Sequence, residues 1–150
     1  LKGHALSLEK FLEKGNVSET HSFSTMATIP QLRMTRRICG AYTLDEKEAF
    51  SPASDSIGMI GDWRKRGPVY EIPMRTLYDT ELHNVVAAGR CISVTDAMWD
   101  ITRVIPAAAV TGQAAGTMLA LSSDVTQLNV SRLQEKLKEN GVKLHVGEVL

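Results

Sequence analysis

Cysteine is nearly absent, with Cys39 and Cys91 alone among 150 residues and no C-x-x-C pair, which excludes a disulfide framework and makes a reduced, cytoplasmic setting the default. Aromatic side chains make up only 5% of the chain, and its 17 basic residues are matched by 17 acidic ones. A net charge of zero gives no electrostatic case for nucleic acid or an anionic membrane as the main partner. No long apolar run reads as a signal peptide, and the richest small-apolar stretch is broken by Arg103, Thr111 and Gln113, which argues against a membrane span. No cluster of histidines and cysteines stands at metal-ligand spacing, so no metal site is expected. The dinucleotide fingerprint G-x-G-x-x-G is missing as well, and with it the usual phosphate-cradling turn.

What the chain does have is concentrated in residues 84–122, around which the rest is organised. Residues 84–88, Asn-Val-Val-Ala-Ala, form a short apolar and partly β-branched run closed by Gly89; such a run predicts a strand covered on both faces, as in a parallel sheet. Pro106 stands where a helix can begin, because its missing N–H would have been unpaired in the first turn anyway. The helix that follows carries Ala107, Ala108, Ala109, Gly112, Ala114, Ala115 and Gly116. Two interior glycines cost about 1 kcal/mol each relative to alanine, so something must approach this backbone closely. Tight packing against another helix and a ligand contact both satisfy that demand.

Elsewhere the signals are local. Leu6, Leu8, Phe11 and Leu12 alternate with charges in an amphipathic helix that ends at Gly15-Asn16, and the Ser/Thr-rich residues 16–28 read as a connector. Residues 31–42 alternate enough to suggest a strand, with Arg36 and Arg37 on opposite faces. Thr43-Leu-Asp-Glu46 has the form of a capping box for a short helix. Residues 55–62 and 69–73 read as two strands of a hairpin around a charged loop. Asn129 can cap a last amphipathic helix over 130–140, with Val130, Leu133 and Leu137 on one face and Gly141 as its stop. His21 and His145 have no evident partner in the sequence.

The series Ala87-Ala-Gly-Arg-Cys-Ile-Ser93, a loop, Arg103-Val-Ile-Pro-Ala107 and Thr111-Gly-Gln-Ala-Ala-Gly116 resembles the C-terminal flavin-contacting segment of a FAD-dependent oxidoreductase family with a glutathione-reductase-like fold. The resemblance implies an α/β protein, α+β if this chain is taken alone: the C-terminal part of a Rossmann-like FAD-binding fold with substrate-side strands. It divides the chain into a substrate-side α+β segment (1–83), the last strand and helix of the FAD-binding domain (84–122), and a packing helix and tail (123–150). It also implies FAD as cofactor and a small molecule as substrate, with most of the cofactor site in an N-terminal part of the same polypeptide.

Cofactor contacts implied by the resemblance fall on Gly89, Arg90, Ile105, Pro106, Ala107, Ala108, Gly112 and Gln113. A helix N-terminus is a ready anion site, and reduced flavin is an anion. Arg90 stands where the wider fold often has aspartate, and reads as a cofactor contact or an ion-pair partner. On the substrate side the candidates are Asp96 and Arg103, in a loop with Trp99 and Asp100. Asp96 replaces the histidine that related sequences often show, which puts a carried-over catalytic role in doubt, and Arg103 serves a substrate carboxylate or a salt bridge to Asp100. Cys91 is expected as a small core residue. Taken alone, the chain is expected to be inactive and to self-associate through its uncovered apolar surface. The rival reading is a self-standing binding or assembly module that retains this architecture without redox chemistry.

Overall fold

A computed structural model describes residues 2–15, 17–22 and 36–149. Two compact units are present, residues 1–33 and 34–150. In the first, helix α1 (Lys2–Glu13) carries Leu6 and Leu12 more than half exposed. The beginning of the expected 31–42 strand and much of the 16–28 connector lie outside the described residues.

The second unit is α+β: helices gathered on one two-stranded antiparallel sheet. The expected hairpin is present as β1 (Ser56–Gly61) and β2 (Val69–Pro73), with Met59 opposite Glu71 and Ile60 opposite Tyr70. The ladder is irregular between Ser56 and Met59, where Gly58 adopts φ +144° and lies under Val110; a Cβ there would come within 2.6 Å of the valine methyl. Only glycine accepts both constraints. Helix α2 (Asp96–Thr102) is followed by α3 (Ile105–Leu121), then α4 (Val130–Glu139). α3 packs on β1, and α4 packs on both.

These helices bury their apolar sides together. Ile57, Ile72, Leu77, Met98, Ile101, Met118, Leu133 and Leu137 are fully buried, and each such side chain contributes about 1.5–3 kcal/mol. α4 forms as its residues dictate, since the Asn129 side chain accepts the Arg132 N–H at 3.1 Å and Leu133 and Leu137 share one face. Among the described residues, no single helix is long and apolar enough to cross a membrane.

Several expectations are corrected. Residues 84–88 form no strand: the segment makes one backbone bond to a neighbour, Ala87 N–H to Leu77 O at 2.7 Å, and Val85 is 44% exposed. β-branched composition makes a strand only where a ladder partner lies alongside, and none of the described strands does. Residues 36–42 likewise form no strand and are tied by isolated bonds such as Ile38 N–H to the Cys91 carbonyl at 2.8 Å. The capping box sits two residues later than expected. Asp45 and Glu48 make it, over the single turn Glu46–Glu48, while the Thr43 hydroxyl is occupied by Ser93 at 2.9 Å.

His145 is also partnered. Its Nδ1 lies 2.9 Å from Glu71, whose buried carboxylate accepts the Ala53 and Val146 N–H groups at 2.8 and 2.9 Å. Burial pushes the Glu71 pKa up, but those backbone hydrogen bonds and His145 outweigh it and hold the carboxyl below its ordinary value.

Candidate functional site

The site grows from the corner between α2 and α3. Thr95 caps α2 by accepting the Met98 N–H, so residues 96–102, expected as loop, are helical. Arg103 ends that helix, and Val104 in extended conformation begins the next, so the two axes meet at 92° across a two-residue break. α3 then starts at Ile105, one residue before the expected Pro106.

The start of α3 has no side-chain cap, as is also true of the single turns that begin after Pro73, Ala88 and His145. Asp45, Thr95, Asp124 and Asn129 each cap the element that follows them, whereas Val104 supplies no cap to α3. Pro106 removes one N–H from the first turn, and Ala108 N–H bonds back to Val104 O at 3.1 Å. The Ile105 N–H is left as an open donor, at the end of the helix that carries about half a positive charge.

Behind that end runs an uncovered face. Ile105 is 85% exposed, and Pro106, Ala108, Ala109, Gly112, Gln113 and Gly116 are exposed behind it. A Cβ added at Gly112 or Gly116 would meet nothing within 4 Å, so neither glycine is explained by packing within this chain. The opposite face of the same helix is core: Ala107, Thr111, Ala114, Ala115 and Met118 are buried. Ala107 is buried with its N–H, at 1% exposed, so it contacts no ligand.

Gly89 sits in the turn that lies on α3, at φ +69°, and its N–H donates to the Thr111 hydroxyl at 2.9 Å while that hydroxyl donates to Ala107 O at 2.7 Å. Thr111 thus fastens the glycine turn to the helix. Sequence reading missed it, because a threonine within a helix signals nothing by itself. Arg90 is exposed, and its carbonyl accepts the Trp99 indole N–H at 3.2 Å. Cys91 is exposed rather than a core residue, because it closes this surface turn instead of continuing a buried strand.

The structure separates the two catalytic candidates. Asp96 is exposed at the first position of α2. Arg103 is held: its Nε lies 2.7 Å from Asp100 Oδ1, and its guanidinium stands over the rings of Trp63 and Trp99 at 5.3 and 5.7 Å. Trp63, in the charged hairpin loop, donates its indole N–H to the Asp100 carbonyl at 2.9 Å. Arg64 bridges Asp62 and Asp100 at 2.9 and 3.3 Å. The hydrogen bond from Arg103, then Arg64, keeps the Asp100 carboxyl below its ordinary range, and Arg64 does the same for Asp62.

Small open hollows flank this architecture. One, of about 310 Å³, is lined by Met59, Val110, Gln113, Asn140, Gly141, Val142 and Lys143, and reaches the open face of α3 through Gln113. Among the described residues, no group of three His, Cys, Asp or Glu side chains is placed to hold a metal ion.

The profile of a protein family described as FAD dependent oxidoreductase matches residues 4–137. No curated protein and no solved structure matches the chain.

Proposed function

Because the chain belongs to the FAD dependent oxidoreductase family, we propose that the start and open face of α3 form the flavin-facing surface of a FAD-dependent oxidoreductase, this chain being the C-terminal part of a longer polypeptide. The observation that carries this reading is a helix start without a cap, backed by a face without side chains. The Ile105 donor suits an electron-rich ring edge, and the flat surface of Ala108, Ala109, Gly112 and Gly116 suits a planar group. Gly89, fastened by Thr111, would bring backbone close to the cofactor, with Arg90 and Gln113 as polar contacts at the margins. An N-terminal, Rossmann-like part of the same polypeptide would hold the rest.

Bound FAD would supply the hydride chemistry. The residues of this chain would orient the ring, exclude water from one side of it and stabilise the negative charge of its reduced form. A helix end contributes about 0.3–2 kcal/mol toward a nearby anion. At about 1.4 kcal/mol per 30 mV for a two-electron couple, that raises the potential by some tens of millivolts, enough to tune the flavin and too little to create its reactivity. Asp96, exposed at the head of α2, is the titratable side chain left for the substrate side, since Arg103 is engaged by Asp100 and two indoles.

The test is the visible spectrum of the full-length protein as purified and after incubation with FAD. The account expects bound flavin absorbance at stoichiometric level. A colourless protein that takes up no FAD refutes it.

A further inference from the structure

Arg103 occupies the two-residue break at which the chain turns through 92° between α2 and α3, so whatever fixes this residue fixes the direction in which α3 begins. Three segments distant in sequence converge on it. The hairpin loop contributes Trp63, whose ring lies under the guanidinium and whose indole N–H reaches the Asp100 carbonyl. α2 contributes Trp99 and the Asp100 carboxylate. The turn Gly89–Cys91 is joined through the Trp99 indole N–H on the Arg90 carbonyl, and that turn is in turn fastened to Thr111 of α3.

We infer that Arg103, held against the rings of Trp63 and Trp99 and paired with Asp100, is a positioning residue that ties the hairpin loop to the start of α3 and so aims the uncapped helix end. The inference rests on the flavin reading above and adds to it. The hairpin, a substrate-side element in that reading, is coupled through one guanidinium to the helix end that faces the cofactor. Arginine suits the role because its planar, delocalised cation can lie over aromatic rings while its fork bonds a carboxylate, a combination that lysine lacks.

The experiment uses the full-length protein loaded with FAD, with the flavin midpoint potential measured by equilibration against a reference dye and stability followed by thermal melting. Arg103→Ala is expected to reduce the preference for reduced over oxidised flavin about tenfold, a potential about 30 mV more negative. Trp63→Phe, which keeps a ring but removes the indole donor, should shift it in the same direction by about half as much. Arg103→Lys should recover part of the loss, and Arg132→Ala on the exposed side of α4 should leave the potential unmoved. Should Arg103→Ala fail to fold, Arg103→Lys and Trp63→Phe decide the matter. Variants that melt earlier at an unchanged potential would overturn the inference, reducing these contacts to structural ones. A wild-type protein that takes up no FAD overturns the flavin reading and this inference together, whereas FAD-loaded variants with unmoved potentials overturn this inference alone.

Discussion

α3 and α4 lie against each other in one unit, yet they are finished in opposite ways. α4 is capped by Asn129, buries Leu133 and Leu137 completely and turns charge to solvent. α3 has no cap, and its outward side shows Ile105 and a run of Ala and Gly where a solvated helix would carry Lys and Glu. A helix that satisfies only its own unit looks like α4. One that leaves a donor and bare backbone outward keeps them for something its unit does not supply, which in the function proposed above is the flavin.

The sharpest way to break this comparison is to damage the finished helix. Leu137→Ala, at a fully buried position, should lower the unfolding free energy by about 2–5 kcal/mol, read by urea denaturation. A smaller loss would mean that α4 is not the anchor that its burial implies.

Glu71→Gln should cost about 1–3 kcal/mol, because an amide cannot accept all the donors that the carboxylate serves. The pH dependence has a definite sign. The Glu71 pKa is held below its ordinary 4.5 in the folded chain, so its contribution is complete above pH 4.5 and disappears as the pH falls through the folded value. Urea titrations at pH 7 and in the acid range should show the gap between wild type and Glu71→Gln closing on acidification.

Caps sharpen the contrast directly. Asn129→Ala should cost about 1 kcal/mol, whereas Val104→Thr, which offers α3 the hydroxyl it lacks on an already extended backbone, should gain about 0.5–1 kcal/mol. An effect of the same small size is expected at Gly112→Ala. With open space around the added methyl, it should gain about 0.5–1 kcal/mol in melts of the chain while weakening FAD uptake by the full-length protein. A mutation that improves the helix and impairs the cofactor is what an outward-facing functional surface predicts.

Much of the fold was legible because its causes are local. The hairpin follows from two apolar runs around a charged loop, and α4 follows from Asn129, its leucine spacing and Gly141. α3 was readable from Pro106 and its composition, and its length to Leu121 follows. What was not legible depends on partners far away in sequence. Residues 84–88 have strand composition without a ladder to join. The capping box slid from Thr43 to Asp45 because Ser93 took the threonine hydroxyl. α2 was missed because a cap and seven residues give little periodicity to read.

The site divides along the same line. Gly89, Ile105, Pro106, Ala108, Gly112 and Gln113, named through the family resemblance, lie at the turn and open face of α3. That Ala107 would point inward required the packing of α3 on β1. The roles of Trp63 and Glu71 depend on contacts made 37 and 74 residues along the chain, which no local pattern records.

The most direct measurement is amide hydrogen exchange of the full-length protein with and without FAD, compared at the starts of these two helices. The account predicts that the Ile105 amide exchanges more slowly when FAD is bound, while the amides of the first turn of α4 at 130–132 keep their rates. Unchanged exchange at Ile105 in a protein that has taken up FAD would contradict it.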